Sequence, residues 1–188
     1  MLVFAAALAL ATLFCIPFVD RPVALWCVGL KRWRFVFQLC AAPSLLALPV
    51  AGVVLVVAAL RRGAVGRVLL LTSVATLAAA AAKDELKFVF GRPWPSTWLM
   101  WGTYGFHPFS NSAFFGSFPS GHTAYISAPL CVLWALAPRW RVPCGGVIAL
   151  VMLGLVGANY HFVGDVLAGL LTGLGCAWAT LRLMRDVA

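Results

Sequence analysis

From Leu2 to Val19 the chain carries no charged side chain, and five further apolar runs follow it. They are Phe35 to Leu60, Val68 to Ala82, Thr123 to Ala137, Cys144 to Tyr160 and Val166 to Leu181. A helix needs roughly 17–25 mostly apolar residues to cross the hydrocarbon core of a bilayer. Hydrophobic residues make up 63% of the 188 and charged residues 10%, against about 45–50% and about 25% in a soluble domain. No single core can hide that surplus, so it faces lipid. Disorder, a secreted disulfide scaffold and a plain cytosolic enzyme are excluded. The pattern predicts an all-α polytopic membrane helix bundle of about six transmembrane helices, forming a single membrane domain over residues 1–188. The third, fourth and sixth runs are short for a crossing, so their helices should extend into the flanking residues.

The formal charge of +9 comes from 14 Lys and Arg against 5 Asp and Glu. Most of the basic residues sit between apolar runs, where lipid headgroups lie, so the expected partners are membrane lipids and no nucleic acid. The six cysteines show no CxxC and no paired spacing, and are read as small buried hydrophobes. The first 19 residues lack a basic start and an A-x-A-like cleavage site, which points to a retained membrane segment. Asp20 to Arg34 suits a helix lying in the interface, or a loop. Gly169 and Gly173 form a GxxxG that marks close helix packing.

With six crossings, Arg61, Arg62, Arg67, Arg139, Arg141, Arg182 and Arg185 share one side with the termini. The other side holds the remaining seven basic residues, but Lys87 and Arg92 there have another use. The positive-inside rule then puts the termini inside, seven to five.

Lys83 to His122 is long, aromatic and rich in Gly, Pro, Ser and Asn. A segment of that length without periodicity is functional or disordered, and its density of aromatic residues favours an ordered cap at the membrane surface. The rings from Trp94 to Phe115 can hold a lipid near a pocket or anchor the cap in the interface. His107 can touch a headgroup or sit in a hydrogen-bonded turn.

Three clusters carry chemistry. His161 is followed four residues later by Asp165, the only acid between Glu85 and Asp186. One helical turn would set the carboxylate against the imidazole, orienting the ring and freeing its other nitrogen. Alternatively, Asp165 caps the last helix. Ser117-Phe118-Pro119-Ser120-Gly121-His122-Thr123 opens the fourth helix. Ser120 stands near an N-cap, Gly121 admits a ligand close to the backbone, and His122 can donate a proton beside that anion site. A capped helix start with a surface histidine is the other reading. Lys87 to Pro95 supplies cations near the pocket, as phosphoryl transfer requires, or forms a juxtamembrane basic patch.

Together these residues resemble the type 2 phosphatidic acid phosphatase family, which shares its site with vanadium haloperoxidases. The family has a Lys-x6-Arg-Pro motif, a Pro-Ser-Gly-His motif and a Ser-Arg-x5-His-x3-Asp motif. The second is complete at Pro119, Ser120, Gly121 and His122. The resemblance implies that His161 attacks phosphorus to form a phosphohistidine, with Asp165 orienting it and His122 protonating the leaving oxygen. Lys87, Ser120 and the Gly121 amide would bind the phosphoryl oxygens, with no metal or other cofactor. The implied activity is hydrolysis of a lipid phosphate or diphosphate at the outer face of a bacterial cytoplasmic membrane. A phosphotransferase acting on a lipid or sugar hydroxyl and a non-catalytic lipid-phosphate binder are the alternatives.

Two family arginines are missing: their positions hold Trp94 and, for the Ser-Arg pair, Gly154 and Leu155. In an extended stretch residues 92 and 94 point to the same side, so Arg92 is expected to replace the first. Asn159, one helical turn beyond Leu155, is expected to donate to phosphate in place of the second.

Overall fold

A computed structural model describes residues 2–61 and 65–185. Arg62, counted in the charge balance above, and Asp186 lie outside the described residues. The described chain folds into α1 (Leu2–Phe18), α2 (Asp20–Gly29), α3 (Arg34–Ala41), α4 (Ala47–Leu60), α5 (Arg67–Phe90), α6 (Pro95–Trp101), α7 (Gly121–Leu136), α8 (Arg141–Gly157) and α9 (Val163–Leu183). Each of the six apolar runs falls on helix. Among the described residues no strand forms, and the only sheet-like feature is a parallel bridge between Arg92 and Gly116.

By length and composition, three helices suffice to cross a membrane: Lys31–Leu60, Pro138–Gly157 and Val163–Leu183. The first is α3 and α4 joined through a short 3-10 turn at Ala42–Leu46, with mean hydropathy 2.4. α1 and α2 qualify only as a pair, bent by 66°. Asp20–Arg34 is thus mostly helix, with a 3-10 turn at Lys31–Trp33.

The cap begins later than the sequence predicts, because α5 continues to Phe90. Lys83, Asp84, Glu85, Leu86 and Lys87 are competent helix formers, and nothing breaks the backbone before Gly91. Gly91 then ends the helix with φ 57°, and a side chain there would run into the His107 carbonyl. Only glycine serves both demands.

α7 is the central helix, packed on α5, α9 and α8, while α1 lies on α9 and α3 on α8. Its contacts are made by small residues: Ala75 and Ala79 of α5 and Ala124 and Ala128 of α7 are fully buried together. Between helices in lipid, small side chains allow the close backbone approach that maximises dispersion contact. Gly169 and Gly173 do this for α9. A Cβ at Gly169 would lie 2.5 Å from the Ser120 carbonyl oxygen, and one at Gly173 would lie 2.6 Å from that of Ala124. The six cysteines are all free thiols.

Candidate active site

The same α7–α9 contact delivers the site. Ser120 is the N-cap of α7, accepting the Thr123 amide at 3.4 Å, and its own N–H donates to the Asp165 carbonyl at 2.9 Å. The end of α5 is tied to this point by the segment after Gly91. Ser117 N–H donates to the Arg92 carbonyl at 2.9 Å, and Trp94 N–H to that of Phe114 at 3.3 Å. Lys87, Ser120, Gly121, His122, His161 and Asp165 are therefore gathered at one end of the bundle. The ring centroids of His122 and His161 lie 6.4 Å apart, with the ring planes at 65°.

Behind His161 lies a charged cluster with no exposed member. Nδ1 of His161 is 3.6 Å from Asp165 Oδ2 and 3.4 Å from Ser117 Oγ. Ser117 Oγ donates to the same carboxylate oxygen at 2.6 Å, and the Phe162 N–H donates to it at 3.0 Å. Asp165 therefore both caps α9 and faces the imidazole. Its other oxygen accepts from Arg92 at 2.6 Å. Arg92 also donates to Asp20 Oδ2 at 2.7 Å and to the Tyr104 hydroxyl at 2.7 Å. Asp20 Oδ1 in turn accepts the Gly164 N–H at 2.8 Å.

Burial opposes the Arg92 charge, but Asp165 and Asp20 outweigh it and raise its pKa above the ordinary arginine value. The rings of Phe162, Tyr104 and Phe106 surround the guanidinium at 4.6, 5.2 and 5.4 Å. Tyr104 sits outside the spans, and desolvation raises its pKa, keeping the phenol protonated to donate to the Ile16 carbonyl.

The cap that closes over these groups is ordered by stacking: Trp101 on Phe114, Trp98 on Tyr104 and Phe162, and Phe106 on Phe118. His107 belongs to that frame. Its N–H donates to the Gly91 carbonyl at 2.7 Å and its ring lies 4.6 Å from that of Phe115.

The sequence pattern of the PAP2 superfamily matches residues 66–188. The chain belongs to the PAP2 superfamily. A lipid A 1-phosphatase of Rhizobium johnstonii is 38% identical over 98 residues, which is 51% of this chain and 38% of that protein. One from Rhizobium etli is 39% identical over 90 residues, 47% of this chain and 38% of that protein. The matched stretch thus spans well under half the length of these curated relatives. A transmembrane PAP2 type phosphatidylglycerolphosphate phosphatase of Bacillus subtilis shares the fold. It superposes with a TM-score of 0.57 at 19% identity over 98% of this chain and 97% of that one. This PAP2 chain is an integral membrane protein.

Within the PAP2 pattern, the structure corrects both expected replacements for the missing arginines. Arg92 does not turn toward the phosphate side. Two carboxylates and a phenol hold it behind His161, because a buried guanidinium is stable only where its charge is matched. Asn159 does not continue the α8 face, because α8 ends at Gly157 and Asn159 takes a left-handed φ of 58°. Its Nδ2 donates to the Ala24 carbonyl of α2 at 3.2 Å. Leu155 packs instead with Ile126, Val151 and Val166. A side chain at Gly154 would come within 2.6 Å of the α3 backbone. Trp94 lies 5.0 Å from the His161 ring, with the Lys87 ammonium 5.1 Å above its own face.

Four further residues stand around these groups. Asp20, outside the PAP2 match, was signalled only by being one of five acids in an apolar chain. Ser117 was visible as the first residue of the Ser117–Thr123 cluster, without a role of its own, and Tyr104 as one of the cap aromatics. Lys83, one turn before Lys87, lays its stem against Gly121, where an added Cβ would be 2.6 Å from Lys83 Cδ. Its ammonium contacts Asp84.

Proposed function

We propose that this chain is a metal-independent lipid phosphatase. It hydrolyses a lipid phosphate or diphosphate monoester through a phosphohistidine. One observation carries the reading: the centroids of two imidazoles lie 6.4 Å apart, with a carboxylate behind only one of them.

His161 Nε2 attacks phosphorus, since Nδ1 is turned toward Asp165 and Ser117. The bond from phosphorus to the lipid oxygen breaks, and His122 gives its proton to that oxygen. Asp165 steadies the imidazolium that results. His122 then takes a proton from water, whose oxygen attacks the phosphohistidine and releases inorganic phosphate. Lys87, the Ser120 hydroxyl and the Gly121 amide bind the phosphoryl oxygens, and Lys83 adds a second cation on the same face of α5. The charge that family arginines carry elsewhere comes here from two lysines one helical turn apart.

The relatives are named for lipid A, so lipid A 1-phosphate joins phosphatidic acid and polyprenyl diphosphate as a substrate to test. The site faces outward from the bacterial cytoplasmic membrane, as the loop charges favour. Purified protein should release phosphate from at least one of these lipids in the presence of a chelator, and His161→Ala should release none. An equal rate in His161→Ala would sink the mechanism. Loss of phosphate to an added lipid or sugar hydroxyl, measured as a phosphorylated acceptor, would favour transfer.

A further inference from the structure

We propose that this protein carries a second, non-catalytic binding site for the headgroup of an anionic bilayer phospholipid that bears a free hydroxyl. The site is a cavity of about 300 Å³ between the α2–α3 turn, α6 and the α8–α9 turn, with Lys31, Arg34, Ser96 and Asn159 as its polar lining.

Asn159 gives the first indication. The Ala24 carbonyl fixes its amide, since turning it over would set two carbonyl oxygens against each other. That leaves Oδ1 buried with no donor among the described residues. Buried acceptors are rarely left unmet, so a donor from outside the chain fits there.

Charge gives the second indication. Lys31 and Arg34 are exposed, and neither pairs with a carboxylate among the described residues. Arg34 is nevertheless held in position, its guanidinium 5.6 Å over the Tyr160 ring. One positioned cation, Arg34, with Lys31 beside it and the Ser96 hydroxyl, suits a phosphodiester, whereas the Asn159 acceptor suits a hydroxyl donor. A phosphodiester with an alcohol on its far side offers both in a single headgroup. The loop containing Lys31 and Arg34 lies where headgroups lie, so a bilayer lipid reaches the cavity without leaving its leaflet.

The site stands independently of the phosphatase reading, and its test uses lipids that are not phosphate monoesters. The full chain is placed in phosphatidylcholine nanodiscs containing either phosphatidylglycerol or phosphatidylmethanol, and lipid retained on the released protein is counted by native mass spectrometry. Both lipids are anionic diesters; only the first has headgroup hydroxyls. Phosphatidylglycerol should be retained about fivefold better than phosphatidylmethanol, and Asn159→Gly, which keeps the left-handed backbone, should abolish that difference. Lys31→Gln with Arg34→Gln, both on the surface, should weaken both lipids about tenfold. Phosphatidylglycerol held no better than phosphatidylcholine, or an unchanged preference in Asn159→Gly, would overturn the proposal. Retention persisting in a protein that releases no phosphate from any substrate would count against the phosphatase reading alone.

Discussion

Arg92 shows how one side chain can look catalytic in sequence and be architectural in space. Its guanidinium bridges Asp165, behind His161, and Asp20, at the start of α2. Removing it strands two buried carboxylates, and breaking a buried pair costs about 3–5 kcal/mol. Arg92→Ala should therefore lower thermal stability sharply, and the surviving folded fraction should have a misoriented His161. An unaltered unfolding temperature would contradict the arrangement. Lys83 makes the opposite case, a residue with no motif that stands beside Gly121. Lys83→Gln should lower kcat/KM by roughly 10-fold to 10²-fold, with Lys87→Gln at about 10²-fold to 10³-fold. Equal activity in Lys83→Gln and the parent would remove Lys83 from the phosphate site. His161, His122 and Asp165 stood out because ionisable residues are scarce in this chain, but the expected helical turn from His161 to Asp165 does not form, since α9 begins only at Val163 and Asp165 reaches back as its capping residue. Asp20 was not legible, because its partner is 72 residues away and local spacing holds no information about such pairs.

At the scale of elements, packing of small residues positions the chemistry. Ser120 at the start of α7 and Asp165 in the first turn of α9 meet because Gly169 lets the two backbones touch. Gly173→Val, one turn further along, forces α9 away from the Ala124 carbonyl and should destabilise the protein by about 1–3 kcal/mol. Activity should fall with stability, since His161 precedes the same helix. A variant that folds at the parental temperature with full activity would show that α9 is not held this closely. The GxxxG spacing was visible in sequence, but its partner helix was not. The α5 end was placed too early in sequence, at Lys83, although local rules account for it once seen: helix formers carry α5 to Phe90 and Gly91 stops it. The fate of Asn159 did not follow from local rules, because a helical projection assumes a helix and α8 stops two residues earlier.

At the scale of the molecule, the charge surplus separates into populations by position. Arg61, Arg67, Arg139, Arg141, Arg182 and Arg185 lie toward one end, and Lys83, Lys87 and Arg92 lie around the site at the other. If the site faces outward, the cap loop is reachable from outside the cell. With the native cysteines replaced, Asn111→Cys should react with a membrane-impermeant maleimide in intact cells. Arg139→Cys should react only after permeabilisation. The reverse pattern would invert the topology. Both positions are exposed, so reactivity reports sidedness and not burial.

The sequence by itself determined the membrane class, the six apolar runs that fold as helix and the Pro119–His122 motif. All of these rest on hydropathy, on local backbone preference or on residues within one turn of each other. Only the tertiary structure decided where charges go once they are buried. It placed Arg92 between Asp165 and Asp20, seated Leu155 in the core, turned Asn159 toward α2 and brought Lys83 to Gly121. A buried charge takes whichever partner lies nearest in space, and the folded chain sets that distance without regard to separation along the sequence.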